Sequence, residues 1–206
     1  RRLVITTNEP ERLDFLHAEF PQYRIQLVRD AFNVRGALPG LYTALEAARN
    51  PYVAVVACDM VFASPSLVVA EALAMNETGA DVVVPVNKHG FEPFHAMYRR
   101  AGCLPAVSAA LDRGEKRAQG FFADVEVCEF PQERVLEAEP MGGCFINANT
   151  PEELRAIEET SREVAEDETR NWHAEPGRHR GSGRGAGVEG RVPGERSLRG
   201  GAQPPC

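Results

Sequence analysis

The sequence is short of lysine, of paired cysteines and of long apolar runs, and each shortage removes a class of function. Two of the 206 residues are lysines, Lys88 and Lys116, and neither stands in a GxxxxGK[ST] loop, which excludes a Walker-type phosphate site. The five cysteines (Cys58, Cys103, Cys128, Cys144 and Cys206) are widely spaced, with no CxxC pair. That pattern argues against a disulfide framework or a cysteine zinc site and fits a reducing cytoplasm. No apolar run reaches the roughly 18 residues a helical membrane span needs. The body contains neither GxSxG nor HExxH, and His17, His89 and His95 lack metal-ligand spacing, so all three read as surface or internally satisfied histidines. Basic charge is short as well: 23 basic against 30 acidic side chains leave a formal net charge of -7, which argues against a broad grip on nucleic acid.

That total joins two unlike parts. Residues 170–206 hold seven Arg, three Glu and nine of the 18 glycines, a net of +4, while residues 1–169 carry 16 basic and 27 acidic side chains, a net of -11. Ordering the tail would cost on the order of 50 kcal/mol. Its few apolar side chains return at most ~10 kcal/mol. The expected division is a domain over 1–165 and a disordered Gly/Arg/Pro-rich tail over 166–206. The tail's GxGxxG match, Gly185 to Gly190, lacks the strand before and the helix after that a dinucleotide fingerprint requires. At the other end the chain runs from Arg1-Arg2 straight into Leu3-Val4-Ile5, with no initiator Met and no signal peptide, as though it starts inside a domain.

The body alternates strand and helix patterns. Strands are predicted at Leu3–Thr6, Arg24–Val28, Tyr52–Ala57 and Asp81–Val86. Helices are predicted at Pro10–Phe20, Leu41–Arg49 and from Ser64-Pro65 to about Glu77. Four alternations predict right-handed βαβ units on a mostly parallel sheet, with YVAVVA as a central strand covered on both faces. Further strands are expected at Glu92–Tyr98, Glu126–Phe130 and Gly143–Ile146, and a helix at Gly102–Asp112. A last helix, opened by Thr150-Pro151 with Glu153 closing a capping box, is expected to reach about Val164.

In open α/β sheets ligands bind beyond the carboxyl ends of the strands. Three predicted strands end on polar groups: Asn8, Asp30 and Asp59. Asp59 emerges directly from a buried strand, where a carboxylate can hold Mg²⁺ together with substrate phosphates, or else cap a turn. Asp30 precedes a loop with Gly36 and Gly40, glycines that let the backbone approach a ligand, although an ordinary turn aspartate is the alternative. Asn8 equally suits a helix cap before Glu9-Pro10.

VVACDMVF (55–62), RDAFNVRGALPGLYTALEAA (29–48), EPFHAMYRR (92–100) and FINANTPEEL (145–154) together resemble the MobA-like nucleotidyltransferases, within them the molybdenum cofactor guanylyltransferases, over about residues 3–160. The resemblance implies a Rossmann-like three-layer α/β nucleotidyltransferase fold and Mg²⁺-dependent transfer of GMP from GTP to molybdopterin with loss of pyrophosphate. It implies partners such as molybdoenzymes or other cofactor-pathway proteins, and neither membrane nor nucleic acid. By position, Asp59 is similar to the family's metal-binding aspartate, with Asp30 and Asn8 on the nucleotide. Glu92, Arg117, Asn147 and Asn149 fall on the acceptor side. The family's opening LAGGxSxRMGxDK-like segment, with its first strand, is absent from the sequence. GALPG replaces GPLxG, and Val61 replaces a proline. The missing segment implies an impaired fragment. The alternatives are a non-catalytic molybdopterin-binding or docking module, and a relative using CTP or a sugar phosphate.

Overall fold

A computed structural model describes residues 2–32 and 36–174, with 163–174 as backbone alone. The tail from 175 onward, including the Gly185–Gly190 match, lies outside the described residues. Two compact units divide the chain, the second starting at Ala148.

In the first unit, β1 (Arg2–Thr6) and β2 (Arg24–Val28) pair in parallel, Thr6 opposite Val28. Their crossover is a 3-10 turn at Pro10–Leu13 followed by the one-turn helix α1 (Leu16–Glu19). The single helix expected over 10–20 does not form. No side chain caps either piece and neither buries a residue, so nothing offsets the cost of helix nucleation.

Next come α2 (Ala37–Ala47), β3 (Tyr52–Val56), α3 (Pro65–Thr78) and β4 (Val82–Asn87). They are followed by β5 (Gly90–Phe91), β6 (His95–Arg99), α4 (Arg100–Asp112), β7 (Val127–Pro131) and α5 (Gln132–Ala138). Helix α3 starts and stops for local reasons. Ser64 caps it by accepting the Leu67 N–H, Pro65 occupies the first position where no N–H is needed, and Gly79 closes it at φ 72, a left-handed conformation that favours glycine.

The three-layer α/β organisation matches expectation, but the sheet is mixed rather than mostly parallel. Strands β3 and β4 run the same way, as the α3 crossover requires, yet β6 lies between them and antiparallel to both. A hairpin turns β4 into β5 through Gly90 at φ 116, and the reversed chain then enters as β6. Strand β7 restores a parallel pairing on β4. Strand β3 consequently ends its sheet instead of lying at the centre, and Tyr52, Ala54 and Val56 are exposed on alternate positions.

The core follows the period-two alternation of β4 and β6. Val82, Val84, Ala96 and Tyr98 pack with Leu38, Leu41 and Leu45 of α2 and Cys103 and Val107 of α4. Val83 and Met97 point the other way, to Leu67 and Met75 of α3 and Val135 of α5. Each fully buried Leu or Val contributes about 1.5–3 kcal/mol relative to exposure, so both helical layers are held by the two central strands. Cys58, Cys103 and Cys144 are free thiols, whereas Cys128 is disulfide-bonded, which the wide cysteine spacing does not predict.

In the second unit, α6 (Pro151–Ala174) runs ten residues beyond the predicted end at Val164. Its acidic, strongly amphipathic sequence has no glycine or proline after Pro151 to stop it.

Candidate functional site

Strands β1 and β2 bring two of the predicted residues together. Because they are parallel and Thr6 faces Val28, Asn8 and Asp30 each lie two residues past the same rung. The ends are tied across that rung: Thr7 N–H donates to Val28 O at 2.9 Å, and Arg29 donates to Asn8 O at 2.7 Å while pairing with the Glu11 carboxylate. Asn8 is exposed and Asp30 half-buried. The residue after Asp30 is anchored to α2, since Ala31 N–H donates at 3.0 Å to Thr43 Oγ1, a buried hydroxyl that itself donates to Pro39 O. Neither the Asn8 side chain nor the Asp30 carboxylate has a hydrogen-bond partner among the described residues, so both remain available to a ligand.

The two glycines after Asp30 differ from the expectation of a flexible loop. Helix α2 already begins at Ala37, so Gly40 lies in its first turn beside Pro39, and a Cβ there would meet nothing within 4 Å. A proline in a first helical turn costs no internal hydrogen bond, which is why GALPG folds as helix rather than loop. Gly36 does mark a close approach, but to protein: a Cβ would stand 3.2 Å from the Lys116 carbonyl oxygen and 3.3 Å from Lys116 Cβ. That carbonyl accepts the Leu38 N–H at 3.0 Å, so the 115–117 turn docks on the N-terminus of α2. The exposed Lys116 is thereby carried to the helix that follows Asp30, a placement hidden in sequence by the distance between them. Its neighbour Arg117 makes a two-pronged bond with Glu115, at 3.2 and 3.0 Å. Those bonds, with the backbone N–H groups of Arg117 and Lys116, draw the Glu115 carboxyl down to about 2.

Asp59 sits three residues past β3 and is half-buried. Its carboxylate has no hydrogen bond or ion pair among the described residues. The backbone around it is fixed. Met60 N–H donates to Ala57 O at 3.3 Å, Met60 forms an antiparallel bridge with Asn147, and Val61 N–H donates to Ile146 O at 3.3 Å. The strand expected over 143–146 is reduced to this single bridge, and it is what brings Asn147 beside the Asp59 loop. Asn149 belongs to the second unit, where its N–H donates to Glu153 Oε2 at 2.7 Å while Thr150 Oγ1 accepts the Glu153 N–H at 3.1 Å. The capping box therefore forms with its return bond shifted by one residue. Glu92 accepts from Asn87 Nδ2 at 2.6 Å across the β4–β5 hairpin.

Polar side chains without partners among the described residues thus stand past β1 and β2 of the two-stranded sheet and past β3 of the five-stranded one, the positions where α/β folds bind ligands. The sequence model of the MobA-like NTP transferase domain matches residues 1–130, and the chain belongs to that nucleotidyltransferase family. The molybdenum cofactor guanylyltransferase of Desulfosudis oleivorans is 32% identical over 156 residues, 76% of this chain and 73% of that protein. The probable molybdenum cofactor guanylyltransferase of Natranaerobius thermophilus is 29% identical over 154 residues, 74% of this chain and 72% of its own. Among solved structures, the molybdopterin-guanine dinucleotide biosynthesis protein A of Archaeoglobus fulgidus shares the fold, with a TM-score of 0.64 and 21% identity over 78% of each chain.

Proposed function

We propose that the protein transfers GMP from GTP to the phosphate of molybdopterin, releasing pyrophosphate with the help of Mg²⁺. The observation that carries this reading is the Asp59 carboxylate, half-buried and without a partner among the described residues, on a loop whose backbone is held at several points. Such a group fits Mg²⁺, which dehydrates reluctantly and binds through one or two carboxylates plus substrate phosphates rather than in an all-protein cage. When bound, the ion neutralises charge on the phosphates and on the departing pyrophosphate.

The chain's own residues bind and orient. Asp59 holds the metal. Asp30 and Asn8, side by side past β2 and β1, hold the nucleotide. A carboxylate can accept both N–H groups on the Watson–Crick edge of guanine, a pair that cytosine lacks, and this favours GTP over CTP. Gly36 and the first turn of α2 pack the nucleotide side, where the Lys116 ammonium adds positive charge. Gly40 has no role that its surroundings require. Glu92, Arg117 and Asn147 serve the acceptor. An acceptor phosphate oxygen attacks the α-phosphorus as the bond to pyrophosphate breaks, so no protein nucleophile is needed and positioning with charge neutralisation supplies the catalysis.

The test is direct. With Mg²⁺, GTP and molybdopterin, pyrophosphate is released and the guanine dinucleotide forms, while CTP reacts roughly tenfold or more slowly. Equal turnover with CTP would move the reading to a cytidylyl relative, and no turnover with any nucleotide by a version carrying a LAGGxSxRMGxDK-like segment ahead of Arg1 would refute it.

A further inference from the structure

Beneath the Asp59 loop lies a buried polar cluster. His95, the first residue of β6, and Glu71, in the middle of α3, are both fully buried, and Ser64 is 3% exposed. Ser64 N–H donates to His95 Nε2 at 3.2 Å. A backbone N–H can only donate, so Nε2 must carry the lone pair, the ring is neutral and its proton sits on Nδ1. That proton faces Glu71 Oε1 at 3.1 Å. Burial raises the Glu71 carboxyl above its usual range, against the lowering effect of the His95 bond, and Glu71 Oε2 has no partner. Three fully or nearly buried polar side chains are costly to keep in a core unless they hold something in place.

What they hold is legible in the backbone. The loop from Ala57 to Ser64 is closed at both ends by two consecutive residues: Ala57 N–H donates to Phe94 O at 2.8 Å, and Ser64 N–H donates to the side chain of His95. The Phe145 ring stands edge-on to the His95 ring at 5.8 Å, and the next two residues, Ile146 and Asn147, are those that bond Val61 and Met60. His95 therefore touches the far end of the Asp59 loop and the segment that flanks its middle. Ser64 Oγ adds a third tie, donating to Glu139 Oε2 at 2.8 Å.

We propose that His95, fixed in its Nδ1–H tautomer by Glu71, is the positioning residue that sets the Asp59 carboxylate for Mg²⁺-nucleotide binding. The inference rests on the reading of Asp59 as the metal-holding residue. His95 itself touches neither metal nor substrate; it acts through Ser64 and Phe145.

Three measurements on the full chain test it. Imidazole ¹⁵N spectra show His95 protonated at Nδ1 and bare at Nε2; an Nε2–H tautomer or an imidazolium overturns the proposal. His95→Phe keeps a ring in the cavity and deletes both bonds. It speeds amide exchange at Ser64 roughly tenfold, the effect of one lost hydrogen bond, while exchange in β4 stays within about twofold. It also raises the Mg²⁺ concentration for half-maximal GTP binding by roughly tenfold. His95→Gln, whose amide oxygen can reach the Nε2 position, recovers most of both effects and guards against a purely steric result. Faster exchange at Ser64 with unchanged Mg²⁺ dependence overturns the positioning role while leaving the Asp59 reading intact. An unchanged Mg²⁺ dependence in Asp59→Asn overturns both.

Discussion

Replacing Asp59 by Asn removes one negative charge and keeps the shape of the side chain, and the structure fixes what each part of that change should do. Because the carboxylate makes no bond within the described protein, no internal interaction is lost, and folding should shift by less than ~0.5 kcal/mol. The sign leans towards stabilisation, since residues 1–169 carry a net charge of -11 and self-repulsion opposes the compact state. The function behaves oppositely. A metal clamp on a transferring phosphate is worth several kcal/mol, and removing the one protein charge that holds it should cost about 3–4 kcal/mol of transition-state stabilisation. At about 1.4 kcal/mol per tenfold, kcat/KM for GTP falls roughly 10²–10³-fold. The assay pairs pyrophosphate release, with Mg²⁺ titrated, with urea unfolding of the same preparations. The reasoning predicts a dissociation of the two: activity lost, stability kept. A loss of activity below about threefold would refute the metal role. A destabilisation beyond ~1 kcal/mol would show that Asp59 has an internal partner and is a structural residue.

Ser64→Ala, unlike Asp59→Asn, should lower stability directly. It removes the α3 cap, worth ~1 kcal/mol, and a bond to a charged partner, worth ~1.5 kcal/mol or more, so unfolding free energy in urea drops by about 2–3 kcal/mol; a change under ~0.5 would refute the assignment. Thiol labelling at pH 8 should find exposed Cys58 first. Burial lifts Cys103 from 9.0 to about 12 and Cys144 from 9.0 to about 11, which lowers their thiolate fractions roughly 10²–10³-fold, so both label only on unfolding, and rapid labelling of either in the native state contradicts their placement. Glu115 should titrate near 2 rather than 4.5 when followed by its carboxyl ¹³C shift. A depressed carboxyl contributes stability that is present above 4.5 and lost as pH falls through about 2, so the 115–117 turn loosens only in strong acid, and a midpoint near 4.5 would mean that the Arg117 bond does not form in solution.

Local pattern carries most of the fold and picks out the three candidate residues at strand ends. Strands β2, β3 and β4 are legible as short alternating or β-branched runs, although only β4 is buried, and Ser64-Pro65 marks the start of α3 because capping and first-turn chemistry are local. Asn8, Asp30 and Asp59 stand out as the polar residues just past the carboxyl end of a strand, and parallel pairing in register is what brings the first two side by side. Strand order was not legible in the same way. HAMYR reads as a strand wherever it pairs, and its insertion between β3 and β4 depends on a tight hairpin at Gly90 whose consequence is long-range. Helix α5 was missed because seven residues with one buried side chain, Val135, leave too little periodicity to see.

His95 shows where reading along the chain stops and packing begins. As a lone histidine in FHAMY it reads as surface or satisfied, and satisfied is what it is. The information that gives it meaning lies 24 residues away in Glu71 and 31 residues away in Ser64. No spacing rule connects His95 to the other two: Ser64 and Glu71 share α3, at its cap and its middle, and His95 meets them only because β6 crosses beside β3 at the rung of Val56 and His95. Residues that meet a ligand must stand at strand ends, where the chain leaves the sheet, and that constraint is written in local sequence. Residues that hold those ends in place have no such constraint and can come from any element that packs beneath. Candidate ligand-facing positions can therefore be picked out one residue at a time, while the contacts behind Asp59 can be recognised only as a set.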